Sequence, residues 1–241
     1  MKVKDIYYVG GSKGGVGKSL VSLVLYDFLT RIRQVNVLSV DTDMENSNFA
    51  TAVLNSHEAR CDNVINTPLV SYDDQHQASM GGLVHIMQEI ERSNCAAAII
   101  DAPAGDGAFM LAAWPVLKGV AEQLGARLHV LPVTNAEDLS LLGLLSSGWI
   151  DILSEADNAV IILNEIVGTD FGTQQRHPEY VQAVRHAVEF RLPKLAPIVA
   201  ASVRQRGKTF EHARETEPMV NRVLINSWLV KVNARFAEVN I

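Results

Sequence analysis

Gly10-Gly11-Ser12-Lys13-Gly14-Gly15-Val16-Gly17-Lys18-Ser19 is preceded by the apolar run Ile6-Tyr7-Tyr8-Val9 and followed by Leu20-Val21-Ser22-Leu23-Val24-Leu25. That order predicts a buried strand, a glycine-rich turn and a helix. The glycines leave backbone N–H groups free to converge on an anion. The helix N-terminus adds partial positive charge, and Lys18 supplies a full one for the β- and γ-phosphates of a nucleotide. Ser19 offers a hydroxyl to Mg²⁺. The stretch Gly14, Gly15, Val16, Gly17, Lys18, Ser19 and Leu20 is therefore read as a cradle for a nucleoside triphosphate. Relative to the general G-x-x-x-x-G-K-[ST] pattern, Ser12 stands where the first glycine would be, and Lys13 adds a second lysine inside the loop.

The rest of the chain suits a large α/β unit. It has 241 residues, of which 48% are hydrophobic and 20% charged, enough to bury a sizeable core, and no shift in composition divides it. One domain over 1–241 is expected. Short apolar runs at Ile6–Val9, Val35–Val40, Ala96–Ile100, Leu128–Val133, Val160–Leu163 and Ile198–Ala200 read as buried parallel strands. Helical patterns fall between and after them, near 18–33, 80–92, 108–124, 137–149, 178–190 and 218–238, with Asn135 as an N-cap supported by Asp138. Alternating strands and helices imply a doubly wound, mostly parallel sheet with helices on both faces, and ligands in such sheets sit beyond the carboxyl ends of the strands. The stretch around 55–80, rich in Asn, Asp, Gln and Ser, is the most loop-like.

The form K-G-G-V-G-K-S resembles the deviant Walker A loop of the ParA/MinD family of P-loop ATPases. In that family the extra lysine, here Lys13, crosses a nucleotide-sandwich dimer to the partner's phosphates, so the resemblance implies an ATP-bound homodimer. Two further strand ends match. Asp41-Thr42-Asp43-Met44 after Val40 is similar to the family's switch I, which implies that Asp43 orients the attacking water and Asp41 supports the Mg²⁺ shell; Met44 replaces a common proline. Such in-line phosphoryl transfer needs a positioned water and charge neutralisation more than covalent catalysis. Ile99-Ile100-Asp101-Ala102-Pro103-Ala104-Gly105 looks like Walker B and switch II. There Asp101 holds Mg²⁺ through water, and the Gly105 N–H senses the γ-phosphate. Asn164, ending the run Val160–Leu163, is by the same resemblance the adenine reader, since a side-chain amide presents a donor beside an acceptor. The resemblance implies slow hydrolysis of ATP to ADP and phosphate, stimulated by a protein partner, with a positional output on plasmid DNA or a conjugation or mobilisation apparatus. Asp106 receives no role.

Other features narrow the class. Cys61 and Cys95 form no C-x-x-C pair and do not fall just after the Asp101 turn, which argues against an iron–sulfur cluster. The N-terminus leads directly into the first strand and no apolar run is long enough to span a bilayer, so a cytoplasmic location is expected. The tail has an apolar stripe at 220, 223, 224, 228 and 232 with few basic residues, which favours a helix packed on its own sheet over a membrane anchor. A net charge of −6 opposes bulk attraction to nucleic acid. Any nonspecific DNA contact falls to the one dense basic cluster, Arg204, Arg206 and Lys208. Two alternatives remain on the sequence: a nucleotide-binding adaptor with little hydrolysis, and a small-molecule ATP-dependent synthetase on the same fold, for which the second lysine has no use.

Overall fold

The structure is a computed structural model that describes residues 3–11, 13–56, 63–72, 78–205 and 207–241. Its centre is a sheet of seven strands: β1 (Asp5–Gly10), β2 (Val37–Asp41), β3 (Val64–Asn66), then β6 (Ala97–Asp101), β7 (Arg127–Asn135), β8 (Asn158–Asn164) and β9 (Val188–Leu192). Two short strands, β4 (Ser71–Tyr72) and β5 (Ala78–Ser79), form a separate antiparallel pair. The sheet order is β3-β2-β6-β1-β7-β8-β9, and every pairing in it is parallel.

Parallel strands connect through crossovers that lay helices on both faces. One face carries α1 (Lys18–Asp27) and α2 (Asn48–Leu54). The other carries α3 (Gly81–Arg92), α4 (Gly107–Leu124), α5 (Ser140–Leu144) and α6 (Ile150–Glu155), followed by the short α7 (Gly172–Gln175) and α8 (Pro178–Ala183). The chain then returns to the first face with α9 (Pro197–Gln205), α10 (Phe210–Thr216) and α11 (Met219–Glu238). Along β1 the period of two divides the side chains between two cores: Ile6 and Tyr8 join one apolar cluster, Tyr7 and Val9 the other. The β1→β2 connection leaves in one direction and β6→β7 in the other, so the order reverses beside β1, directly under the glycine-rich loop.

Several expected elements are corrected. Ile198–Ala200 lies in a helix, not a strand: Pro197 suits a first helical turn, and Val199 and Val203, four apart, are the buried positions while Ile198 faces solvent. The seventh strand comes instead from Val188–Leu192, inside the stretch expected as the helix 178–190. Phe190 and Leu192 point in while Val188 and Glu189 are exposed, and the segment pairs with β8 as the edge strand. Asn135 is no N-cap, because it still belongs to β7, opposite Asn164. Asp138 starts the helix later by accepting from the N–H and hydroxyl of Ser140. The stripe of α11 is rotated: Ile225, Trp228, Leu229, Val232 and Phe236 pack on the sheet side, with Phe236 stacked on Phe190 at 4.7 Å, whereas Val220, Val223 and Leu224 are exposed.

The basic cluster is corrected in part. Lys208, between α9 and α10, donates to Thr216 Oγ1 at 2.7 Å and to Glu217 Oε1 at 2.7 Å; Glu217 Oε2 also accepts from Asn221 Nδ2 at 3.1 Å. The Glu217 side chain is 1% exposed and that of Lys208 13%, so this lysine ties the α9–α10 connection to the end of α10 and is no free cation for DNA. Arg206 lies outside the described residues, and Arg204 is described only in its backbone. The Lys208 ammonium holds the Glu217 carboxyl down at about 2, against an ordinary 4.5. Removing one partner of a buried pair strands the other charge, so Lys208→Met is expected to lower unfolding free energy at pH 7 by about 3 kcal/mol. Since the folded-state value is depressed, the stabilisation is complete above the ordinary value of 4.5 and is lost as pH falls through about 2. Urea unfolding of both proteins across that range checks the prediction: the difference shrinks in acid.

Candidate functional site

Parallel pairing brings the predicted residues to one edge of the sheet. Asp41 on β2 and Asp101 on β6 are register partners, Asp101 is also opposite Val9 on β1, and Asn164 on β8 is opposite Asn135 on β7. All these strands end on the side where the glycine loop leaves β1. The loop turns through residues in the left-handed region, Gly15 at φ 82° and Gly17 at φ 103°, and Gly17 caps α1. A Cβ at Gly17 would fall on the amide of Asn164, so both conformation and approach require glycine there.

The two loop lysines diverge. Lys18 is buried, and its Nζ donates to the Lys13 carbonyl at 3.0 Å. Lys13 is exposed. The loop opens on a cleft of about 650 Å³ lined by Gly14, Gly15, Gly17, Lys18, Ser19 and Leu20 from the loop and α1, by Thr42, Asp43 and Met44, and by Pro103 to Asp106 with Phe109. Asp41, Asp101 and Asn164 are buried in the layer behind it.

Each carboxylate has a different setting. Asp101 accepts from Ser22 Oγ at 2.9 Å and from the hydroxyl of Ser19; its backbone carbonyl takes both the N–H and the hydroxyl of Thr42. Burial, reinforced by the charge of Asp41, pushes the Asp101 carboxyl up to about 7. A buried carboxylate with two hydroxyls and no direct cation, next to Ser19, is the donor set a hard divalent ion suits, so Asp101 and Ser19 fit Mg²⁺. Asp41 accepts from the N–H groups of Asp43 at 3.1 Å and Ala50 at 2.9 Å; burial still raises its carboxyl above the ordinary range. It thereby fastens the switch I segment to the start of α2. Asp43 Oδ1 accepts from the N–H groups of Glu45 at 3.1 Å and Asn46 at 3.0 Å, closing a turn at the rim of the cleft.

Residues 7–233 match the family described as the CobQ/CobB/MinD/ParA nucleotide binding domain. The chain belongs to this family. The fold is likewise that of solved family structures: the septum site-determining protein MinD complexed with Mg-ADP from Pyrococcus horikoshii (19% identity, 98% of each chain, TM-score 0.52) and a ParA family ATPase from Chlorobium tepidum (14% identity, 94% and 98% of the chains, TM-score 0.55). Protein MobD of Acidithiobacillus ferrooxidans is 26% identical over 232 residues, 93% of each chain. This is a family of nucleotide-binding domains with the P-loop ATPase fold.

Sequence reasoning missed a third carboxylate. Asp106, at the mouth of α4, is buried, lines the cleft and accepts the hydroxyl of Tyr8 from β1. Burial pushes its carboxyl to about 6, opposed by the Tyr8 hydroxyl and the charge of Lys18. The only sequence signal for it is that its partner Tyr8, a phenol inside a buried strand, needs a polar partner next to the loop. Ser22 was legible in the same way, as a small hydroxyl among the buried apolar residues of α1.

Because the folded-state value of Asp101 is raised, its burial cost is absent near pH 4 and grows as pH rises through about 7. Asp101→Asn is therefore expected to raise the stability of the metal-free protein at pH 8 by on the order of 2–4 kcal/mol, with no gain at pH 4. The same variant loses the Mg²⁺-dependent part of nucleotide affinity. Thermal unfolding in EDTA at the two pH values, with nucleotide titrations with and without Mg²⁺, tests this; a variant less stable than wild type at pH 8 would contradict it.

Proposed function

We propose that the protein is a Mg-ATP-dependent, dimerising ATPase switch. The single observation that carries this reading is the divergence of the two loop lysines. Lys18 is buried and bonded to its own loop, while Lys13 is exposed, where a facing copy would receive it. A small-molecule synthetase has no use for such a lysine. Ser19 and Asp101, with Asp41 behind, would hold Mg²⁺, which neutralises charge on the phosphates. The Gly14–Leu20 backbone binds the phosphates, and Lys18 draws charge toward the bridging oxygen. Asp43 orients water for in-line attack on the γ-phosphorus; the bond to the β–γ bridging oxygen breaks, leaving ADP and phosphate. Loss of the γ-phosphate is felt at Gly105, whose φ of +78° puts a left-handed corner in switch II.

The output is positional, on plasmid DNA or a conjugation or mobilisation apparatus, with a protein partner stimulating turnover. Direct DNA contact rests on Arg204 and Arg206, since Lys208 is occupied. Among the described residues no helix is long and apolar enough to cross a membrane. A second reading, an adaptor that binds nucleotide and hydrolyses little, is favoured by one observation: Asp43 Oδ1 is already occupied by two backbone N–H groups.

Two substitutions separate the readings. Lys13→Gln is expected to retain ATP binding by the monomer and to lose ATP-dependent dimerisation, read by light scattering. Asp43→Ala is expected to dimerise with ATP and to lose turnover by a factor of about 100 or more. Intact dimerisation of the first would sink the sandwich arrangement, and unchanged turnover of the second would favour the adaptor.

A further inference from the structure

An anion cradle made of backbone N–H groups leaves the carbonyls of the same peptides facing the other way, because the peptide unit is planar and trans. A loop carbonyl turned away from water needs a donor. Two of them take one from a side chain. Lys18 Nζ takes the Lys13 carbonyl, whose peptide carries the Gly14 N–H. Asn164 Nδ2 takes the Val16 carbonyl at 2.8 Å, and that peptide carries the Gly17 N–H. Val16 is fully buried and Asn164 is 1% exposed, so water cannot replace the contact. Asn164 itself cannot drift, for it ends β8 in register with β7 and its amide fills the space a side chain at Gly17 would need.

We propose that Asn164 is a positioning residue for the phosphates: by holding the Val16 carbonyl outward it aims the Gly17 N–H into the cradle, so that it governs anion affinity whatever base the nucleotide carries. This rests on the reading of the loop as a nucleotide phosphate site, and departs from the adenine-reading role that resemblance assigns to Asn164. Without the amide, the Val16 carbonyl loses its donor and the 16–17 peptide, flanked by glycines at 15 and 17 with wide conformational freedom, is free to turn. The loop then offers one N–H fewer.

The test compares Mg-ATP with Mg-tripolyphosphate, which has the phosphates and no base, on the full-length wild type, Asn164→Ala and Asn164→Asp. Both variants are expected to lose about tenfold or more in affinity for each probe, with the ratio between the probes unchanged. Taking the ratio within one variant cancels any general loss of stability, and Asn164→Asp keeps the side-chain volume if the alanine variant does not fold. A local signature accompanies it: in the wild type the Gly17 amide proton moves downfield in the ¹H–¹⁵N spectrum on adding tripolyphosphate, and in Asn164→Ala it does not, while the Gly14 amide moves in both. A loss confined to ATP, or no loss at all, would overturn the proposal. Wild-type protein that binds neither probe would overturn the nucleotide reading beneath it, a result distinct from any seen only in the variants.

Discussion

A backbone anion site depends on what happens behind it. N–H groups converge on a phosphate only while their carbonyls are held away from it, and the interior must supply donors for them. Here Lys18 and Asn164 supply two, one from the helix that follows the loop and the other from a strand two positions across the sheet. The loop is thus only as well formed as the sheet that places Asn164 beside it. This links core to chemistry: the β1–β7–β8 pairing, an apolar and wholly structural arrangement, decides the direction of a single peptide at the phosphate site.

The same layer concentrates negative charge. Asp41, Asp101 and Asp106 are all buried, the last two within reach of the buried Lys18, and burial pushes each of their carboxyls upward. Such a cluster is costly in the absence of a cation and is relieved by one, so the protein's stability is coupled to occupancy of its site. Asp106 adds a mechanical element, since it ties the start of α4, immediately after the switch II glycine, to Tyr8 on the strand that feeds the loop. The proposed contacts of nucleotide, metal and switch II therefore converge on one connected set of side chains.

Much of this was legible in the chain. Five of the seven parallel strands, β1, β2, β6, β7 and β8, and with them the strand-end positions of the loop, Asp41, Asp43 and Asp101, follow from runs of apolar residues ending in polar ones, a pattern with little ambiguity when a strand is buried on both faces. What failed did so at the sheet's two edges: β3 (Val64–Asn66) lies in the stretch expected as loop, and the other edge strand was misplaced. Val188–Leu192 is half exposed, so its alternation is short and competes with a helical pattern starting at Pro178, while Ile198–Ala200 has strand-like composition but sits behind a proline that starts a helix. The face of α11 was displaced because several of its exposed positions are Val, Leu and Met, which blur the stripe. Long-range partners were out of reach of any local reading: neither Asp106 with Tyr8, 98 residues apart, nor Asn164 with Val16, 148 apart, leaves a mark in sequence spacing.

The measurement that tests the account most directly is calorimetric titration of the full-length protein with ATP, in Mg²⁺ and in EDTA, at pH 7.5. Saturable binding at one site per chain that weakens when Mg²⁺ is removed is the predicted result. A folded protein that takes up no ATP, or binds it equally well without the metal, would contradict the assignment of the glycine loop and Asp101 as a Mg-ATP site.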